Sequence, residues 1–78
     1  MPLINVRLIE GVFTPEQKKQ MQERLTDAMV SIEGENMRSV TTVIVDEVPS
    51  GQWAIGGKSL TKEAVKALAA GEKSVKAA

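Results

Sequence analysis

Pro2 is the residue whose type and position most directly suggest chemistry. It follows Met1, and an apolar-patterned segment begins directly behind it. Proline donates no hydrogen bond to a neighbouring strand, so it is tolerated mainly at edges, at bulges or as a strand's first residue. That rule alone gives a purely structural explanation of Pro2. If Met1 is removed, however, Pro2 becomes a free secondary amine that a strand holds in place.

An amine at this position is suited to moving protons near neutral pH. Unperturbed α-amino groups titrate near about 7.7–8.0, far below the lysine side chain at roughly 10.4. Burial and a nearby cation each disfavour the ammonium form and lower the pKa further. Such a base can take a proton from the carbon beside a carbonyl and return it elsewhere on a conjugated system. The proline ring also restricts the orientation of the nitrogen.

The composition excludes several other chemistries. The chain has no cysteine and no histidine, so disulfides, thiolate–zinc sites and imidazole bases are excluded. Ten basic residues balance ten acidic ones, which does not support nucleic-acid binding. No segment approaches the roughly 20 apolar residues of a membrane span, and no signal sequence is recognisable. We therefore expect a cytoplasmic protein with a small-molecule substrate and no cofactor, metal, nucleic-acid or membrane partner.

The length of 78 residues predicts one domain over residues 1–78, with a core over 2–57 and a C-terminal helix and tail over 58–78. A monomer of this size buries only about 60% of the surface of its unfolded chain. Small chains therefore need disulfides, metals or partner subunits. Because the first two are excluded here, the composition favours a homo-oligomer.

Sequence patterns in the first half of the chain predict the elements that would position Pro2. Apolar and polar residues alternate over Leu3–Ile9 and predict a strand. A helix is predicted to begin with Thr14 as N-cap, Pro15 in its first turn and Gln17 closing a capping box, and to end at Gly34. Residues at helical spacing predict its apolar stripe: Met21, Leu25, Ala28, Met29 and Ile32.

The second half completes an α/β (α+β) fold. The β-branched run over 39–48 predicts a second strand. Two strands joined by about 30 residues that include a helix make a right-handed β-α-β unit with parallel strands. A short hairpin strand over 52–55 follows, and then a helix over 61–70, with a frayed tail over 72–78. The first helix covers one face of the sheet, so we expect the other face to pack against a second chain.

Short motifs in this order resemble the 4-oxalocrotonate tautomerase family: "MP" at a strand start, "EG" after it, "TPEQKKQM", "VIVDEVP" and "W-x-IGG". The likeness covers residues 2–57, and the ordered set is specific although each motif alone is weak. It implies a β-α-β subunit assembled as a hexamer and small keto–enol substrates, typically carboxylates. Some relatives perform hydration, dehalogenation or decarboxylation. It also implies that Pro2 is the catalytic acid–base and that Trp53 stands at the aromatic wall of the pocket.

Two departures from the family pattern bear on the choice of substrate. The family places one arginine just after the "EG" and another inside the second strand. The first position is Val12 here, and the second is Thr42, or Thr41 if the gap is placed differently. Neither valine nor threonine replaces a bidentate arginine–carboxylate contact. The sequence therefore favours a neutral or monocarboxylate carbonyl compound over a dicarboxylate.

Arg38 is the predicted substitute cation, because it precedes the second strand and could reach the pocket of a neighbouring subunit. Arg7 and Lys58 are the alternatives, and each of the three is of a type that is more often a solvated or interface charge than a substrate ligand. The hydroxyl of Thr42 could donate to substrate, although β-propensity also explains it. Ile9 and Trp53 could line an apolar pocket, although ordinary packing explains Ile9 equally well.

Two further functions stay open at this point. Asp46 and Glu47, at the end of the second strand, could activate a water as in hydratase relatives, or could be a carboxylate pair on the strand rim. The chain could also be a non-catalytic oligomeric binding protein that kept the fold. The retained proline favours an enzyme, whereas the missing arginines favour the binding protein.

Overall fold

The computed structural model describes residues 1–71, and the tail predicted over 72–78 lies outside the described residues. The described chain forms a β-α-β unit followed by a hairpin and a short helix, which confirms the predicted mixed α/β fold. Its elements are β1 (Leu3–Ile9), α1 (Pro15–Glu33), a 3₁₀ helix (Glu35–Val40), β2 (Thr42–Val48), β3 (Trp53–Ile55), β4 (Lys58–Leu60) and α2 (Lys62–Ala69).

Strands β1 and β2 pair side by side and run parallel. Where the two strands start, the Thr42 amide donates to the carbonyl of Pro2, just before β1, at 3.1 Å; where they end, the amide of Glu10, just after β1, donates to the Val48 carbonyl at 2.8 Å. Bonds that join start to start and end to end are possible only in a parallel pair. The parallel pairing predicted from the sequence is confirmed.

The two faces of β1 differ in burial as the alternation predicts. Ile4, Val6 and Leu8 are half-buried, whereas Leu3 and the polar residues between them are exposed. Leu3 keeps 60% of its surface exposed, and Ile44 on β2 keeps 39%. Ile9 has the parity of Leu3 but is buried at 6% exposure, so this face of the sheet is open in the single chain over the Leu3–Arg7 part of β1.

Helix α1 begins and ends where its sequence signals predict. The Gln17 amide donates to the Thr14 hydroxyl at 3.1 Å, and the Thr14 amide donates to the Gln17 side-chain oxygen at 2.9 Å, which completes a capping box. The Gly34 amide donates to the Val30 carbonyl at 2.9 Å and ends the helix.

The apolar stripe predicted for α1 is wrong at its edge. Ala28 is exposed and Ile32 is 84% exposed, whereas Val30 is buried at 5% exposure. Met21, Leu25 and Met29 are half-buried, as predicted. The covered face also includes Thr26 and Val30, so it is rotated by about one residue from the predicted stripe. Residues at i and i+4 share a face, and Ile32 lies off this one.

The second strand begins later than predicted. Glu35–Val40 forms a 3₁₀ helix, and β2 begins only at Thr42, although the β-branched run suggests a strand from residue 39. The Thr41 hydroxyl lies within hydrogen-bond distance of the Met37 carbonyl, at 2.8 Å, and of the Glu33 carboxylate. These local contacts hold the segment in a tight turn in spite of its strand propensity.

The described chain divides into two compact units. The first comprises Met1–Arg7 with Thr14–Asp46, and the second comprises Leu8–Phe13 with the chain from Glu47 onward. The buried apolar residue of the first unit is Val30. Those of the second are Ile9, Leu60 and Ala64.

In the second unit, β3 and β4 form an antiparallel hairpin in which Trp53 faces Leu60 and Ile55 faces Lys58. The two-residue turn between them has positive φ at both Gly56 (59°) and Gly57 (80°). This is the type I′ geometry that matches the twist of a hairpin and that glycine adopts without strain. The predicted hairpin strand is confirmed.

Helix α2 starts directly after the hairpin. Thr61 is its N-cap, and the Thr61 hydroxyl accepts a hydrogen bond from the Ala64 amide at 3.2 Å. The Lys62 amide donates to the Ser50 hydroxyl at 2.9 Å, which ties the first turn of the helix to the segment before the hairpin. The position of Lys62 is thus fixed at its backbone.

Candidate active site

Pro2 lies half-buried at the start of the parallel pair, and Met1 before it is 90% exposed. The Pro2 carbonyl accepts the hydrogen bond from the Thr42 amide described above. This bond anchors the proline to β2 on its C-terminal side, while the chain on its N-terminal side is open to solvent. Removal of an exposed Met1 would leave the Pro2 nitrogen as the end of an anchored residue.

Thr42 and Thr41 differ in what their hydroxyls do. The Thr41 hydroxyl is engaged by Met37 and Glu33 in the contacts that close the 3₁₀ helix. The half-buried Thr42 hydroxyl makes no hydrogen bond to any residue among 1–71. Of the two positions that the sequence leaves open, Thr42 is therefore the one with a free hydroxyl, and its amide contacts Pro2.

Arg38 lies in the 3₁₀ helix, and two carboxylates hold its guanidinium. Its Nε is 2.7 Å from Glu35 Oε1, and its Nη1 is 2.8 Å from Asp27 Oδ1. The hydrogen bonds that Arg38 donates to Glu35 and to Asp27 raise the pKa of Arg38 above its usual range, and the bond from Arg38 lowers the pKa of Glu35. A substrate carboxylate would have to displace one of these partners.

A surface groove of about 390 Å³ lies beside this cluster. Two acidic side chains and one basic side chain contribute to its lining, which comprises Gln22, Glu23, Thr26, Asp27 and Arg38. Because Arg38 is already balanced by Asp27 and Glu35, the groove offers no net positive charge to an anion.

On the open sheet face, Arg7 and Asp46 are connected through Asn5. The Arg7 Nε donates to the Asn5 side-chain oxygen at 3.4 Å, and the Asn5 Nδ2 donates to Asp46 Oδ2 at 2.8 Å. The second bond spans β1 and β2 and therefore stabilises their register. Asp46 is thus a structural hydrogen-bond acceptor, as well as a candidate for activating a water.

Ile9 and Trp53, the predicted apolar contacts, both belong to the second unit. Ile9 is buried at 6% exposure, so packing accounts for it within the single chain. Trp53 is half-buried in β3, and its neighbour Ile55 is 64% exposed at the hairpin turn. Substrate contact through Ile9 and Trp53 stays a prediction.

Lys62 is a residue that the sequence reasoning missed. Its side chain lies over Gly11: a Cβ added at Gly11 would stand 2.9 Å from Lys62 Cδ and 3.8 Å from Lys62 Nζ. Gly11 has φ of +82°, which suits glycine, and it lies two residues after the end of β1. The two residues are far apart in the chain, and no local pattern pairs them.

Within residues 1–71, no cluster of three or more acidic side chains is placed to hold a metal ion. Over the same residues, no helix has the length and apolar character required to cross a membrane.

The family model of tautomerase enzymes matches residues 2–63. The chain belongs to the tautomerase family. The probable tautomerase K2 of Dickeya dadantii (strain 3937) is 42% identical to it over 62 residues, which cover 80% of this chain and 91% of the relative. This confirms the resemblance inferred from the ordered motifs.

Solved structures of similar proteins agree with the fold of this tautomerase. A 4-oxalocrotonate tautomerase isozyme from Methylibium petroleiphilum is 36% identical, with a TM-score of 0.66 over 74% of this chain and 90% of that one. TomN, a 4-oxalocrotonate tautomerase homologue in the tomaymycin biosynthetic pathway, is 33% identical, with a TM-score of 0.68 over 94% of this chain and 100% of its own. The second match extends the likeness beyond the β-α-β unit.

As a tautomerase, the protein is an isomerase that interconverts keto and enol forms. The matched region begins at Pro2 and continues past Lys62, so it spans both the anchored proline and the lysine over Gly11. The structure thus brings together Pro2 and Thr42 in the first unit, and Gly11 and Lys62 in the second.

Proposed function

We propose that this tautomerase uses the secondary amine of Pro2, freed by removal of Met1, as the general acid–base on a small keto–enol or unsaturated carboxylate substrate. The observation that carries the proposal is the hydrogen bond from the Thr42 amide to the Pro2 carbonyl at 3.1 Å. It anchors the residue at the end of a paired strand, where a flexible terminus would otherwise be expected. A base has to be held within reach of the proton that it transfers.

The proposed reaction moves one proton and leaves the composition of the substrate unchanged. The neutral Pro2 amine takes a proton from the enol oxygen or from the carbon beside the carbonyl, and the bonding electrons spread over the conjugated system as an enolate. The resulting ammonium then returns a proton to a different atom of that system. No oxidant, reductant or cofactor is needed, because no electrons leave the substrate.

The substrate class is inferred from the relatives and from the cations of this chain. The two solved relatives are named for 4-oxalocrotonate, an unsaturated 2-oxo dicarboxylate. Val12 and Thr42 stand where two arginines are expected, so we propose a substrate with one carboxylate. Thr42, Ile9 and Trp53 are the proposed substrate contacts. Arg38 stays a predicted contact, but its guanidinium would first have to leave a carboxylate of Asp27 or Glu35.

The proposed assembly is a homo-oligomer, a hexamer by likeness to the family, acting in the cytoplasm. Four apolar residues make up the buried core of residues 1–71, namely Ile9, Val30, Leu60 and Ala64, and none is wholly buried. Leu3 and Ile44 lie exposed on the open face of the sheet. Burying such surface against further copies is the stabiliser left to a chain of this size without disulfides.

The test of the proposed function is Pro2→Ala, with the enol forms of phenylpyruvate and 4-oxalocrotonate as substrates. Alanine keeps a terminal amine but loses the ring, and we expect a loss of about 10²- to 10⁴-fold in rate. Pro49→Ala makes the same change at a proline before the hairpin and should leave the rate unchanged. Intact mass shows whether Met1 is absent, because a chain that keeps Met1 has no proline amine and should be inactive.

Light scattering and melting curves accompany the kinetics of Pro2→Ala. Both should match the parent, because a strand's first residue contributes little to the ladder. Full activity of Pro2→Ala, or of a chain that retains Met1, would show that Pro2 is only the start of a strand. A processed parent that binds enol acids without converting them would instead favour the binding protein.

A further inference from the structure

The hydrogen bond that anchors Pro2 depends on the point at which the chain enters β2. Its donor is the amide of Thr42, the first residue of β2. This N–H belongs to the planar peptide unit that also contains the Thr41 carbonyl, so the backbone of Thr41 sets its direction. Thr41 follows the 3₁₀ helix and is already extended, with φ of −80° and ψ of 120°. The contacts that fix Thr41 therefore also fix the donor to Pro2.

Thr41 is held through both its backbone and its side chain. Its amide donates to the Arg38 carbonyl at 3.3 Å. Its hydroxyl lies 2.8 Å from the Met37 carbonyl oxygen and within hydrogen-bond distance of the carboxylate of Glu33, the last residue of α1. A threonine hydroxyl has one proton, which these two acceptors share. The side chain of Thr41 thus joins the end of α1 and the 3₁₀ helix to the start of β2.

The hydroxyl of Thr41 is better shielded from water than the ion pair that also joins α1 to the 3₁₀ helix. Thr41 and Glu33 are both half-buried. In the pair of Arg38 with Asp27, 44% and 64% of the two side chains are exposed, and solvent screens such a pair. Without its hydroxyl, residue 41 would keep the 3.3 Å bond from its amide to hold the turn against the strand propensity of this segment. We therefore expect loss of the hydroxyl to loosen the turn.

We propose that Thr41 is a positioning residue for the Pro2 base: its hydroxyl fixes the peptide that carries the Thr42 N–H, and that N–H in turn holds Pro2. This inference rests on the proposed function, because the anchor affects the rate only if Pro2 is the base. All of these groups belong to the first compact unit. The competing explanation is that Thr41 merely closes the 3₁₀ helix. Loss of its hydroxyl would then lower the melting temperature and leave the folded enzyme as fast as the parent.

The first experiment compares the kinetics of Thr41→Val with those of the parent on the enol of phenylpyruvate, well below both melting temperatures. Valine keeps the branched shape and removes the hydroxyl. Misplacing a reacting group by about 1 Å can cost roughly 10²-fold in rate, so we expect kcat to fall by about 10- to 100-fold. KM should stay near the parent value, because Thr41 has no proposed contact with substrate. If Thr41→Val does not fold, Thr41→Ala, which adds less strand propensity, is held to the same expectation.

Two further variants separate positioning from general stability. Thr41→Ser restores the hydroxyl and should recover most of the parent kcat. Thr26→Val makes the same change on α1, where the Thr26 hydroxyl donates to the Gln22 carbonyl at 2.7 Å, and should leave kcat unchanged. An unchanged kcat in Thr41→Val would overturn the proposal. So would an equal loss in Thr26→Val, or a Thr41→Ser variant that is as slow as Thr41→Val.

Hydrogen exchange of the Thr42 amide tests the anchor without turnover. In Thr41→Val this amide should exchange faster on the order of tenfold, the effect of losing about one net hydrogen bond, while amides further along β2 keep their parent rates. Thr26→Val should match the parent throughout. Parent-like exchange of Thr42 in Thr41→Val, or equal acceleration along all of β2, overturns the positioning role.

The two measurements also separate this inference from the proposed function. If Pro2→Ala is inactive while Thr41→Val is as fast as the parent, the inference about Thr41 fails and the proposed function stands. If Pro2→Ala is fully active, the proposed function fails, and the exchange of the Thr42 amide still decides whether Thr41 holds the anchor.

Discussion

Two cations of the chain lie in opposite electrostatic settings, one in the 3₁₀ helix after α1 and the other in the first turn of α2. In the first region, Arg38 is held by Glu35 and Asp27 at 2.7 and 2.8 Å. In the second, Lys62 lies over Gly11 without an acidic partner among residues 1–71. The Arg38 guanidinium is thus neutralised by two carboxylates, whereas the Lys62 ammonium has no acidic partner among residues 1–71.

The difference shows that the availability of a cation matters as much as its type. Exposed ion pairs contribute little to stability individually, because solvent screens them. They nevertheless occupy the N–H donors of the guanidinium. A substrate carboxylate that displaces Asp27 or Glu35 therefore gains only the difference in free energy between its own contact with Arg38 and the ion pair that it replaces. Arg38 therefore links α1 to the 3₁₀ helix, whereas Lys62 has donors to offer to an anion.

Arg38→Met is the substitution that puts this comparison to the test with the largest expected contrast. Loss of the pairs with Asp27 and Glu35 should lower the melting temperature slightly, since both partners are exposed. KM for a monocarboxylate enol should stay near the parent value, because the guanidinium is already bound by its own chain. Steady-state kinetics and melting curves of the variant and the parent make the measurement. A large rise in KM for Arg38→Met would instead support Arg38 as the substrate cation that the sequence predicts.

Glu35→Gln tests, through a smaller effect, whether the pair of Arg38 with Glu35 contributes to stability. The effect is on the pH dependence of the melting temperature. The hydrogen bond from Arg38 lowers the pKa of Glu35 below its ordinary value of 4.5. A carboxyl whose pKa is depressed by folding stabilises the protein above the unfolded-state pKa, and the contribution disappears as the pH falls through the folded-state pKa. The gap in melting temperature between parent and Glu35→Gln should therefore be widest near neutral pH and should shrink below about pH 4.5.

The matched control for Glu35→Gln is Glu10→Gln, because the Glu10 carboxylate forms no hydrogen bond or ion pair among residues 1–71. The difference in melting temperature between the parent and Glu10→Gln should not shrink in the same way as the pH falls. A gap for Glu35→Gln that stays constant from neutral to acidic pH would mean that the pair with Arg38 contributes nothing in solution.

Local signals predicted the elements that position Pro2. Strand β1 and the two ends of α1 agree with the sequence reading, since alternation and caps act within a few residues: Thr14 and Gln17 form their reciprocal bonds, and Gly34 ends the helix. The chemistry proposed for Pro2 could also be inferred from the sequence, because it depends only on the residue type and on its position directly after Met1.

The features that the sequence did not reveal depend on contacts between distant segments or on competing local bonds. Thr41 has strand propensity, yet its hydroxyl contacts Met37 and Glu33 and helps to close a 3₁₀ helix. Neither the pairing of Arg38 with Asp27 nor the approach of Lys62 to Gly11 follows any helical or strand period. The glycine of the "EG" motif, Gly11, is a usable signal, since a glycine with positive φ often leaves room for another segment.

The central claim is that the Pro2 amine is the catalytic base, and its ionisation can be observed directly. Labelling proline with ¹⁵N in the processed chain allows the titration of the terminal nitrogen to be followed by NMR beside the pH–rate profile for proton abstraction. The neutral amine is the active form, so the account predicts that the rate rises with pH along the same single ionisation as the Pro2 nitrogen. A rate that stays constant while that nitrogen titrates would contradict the account.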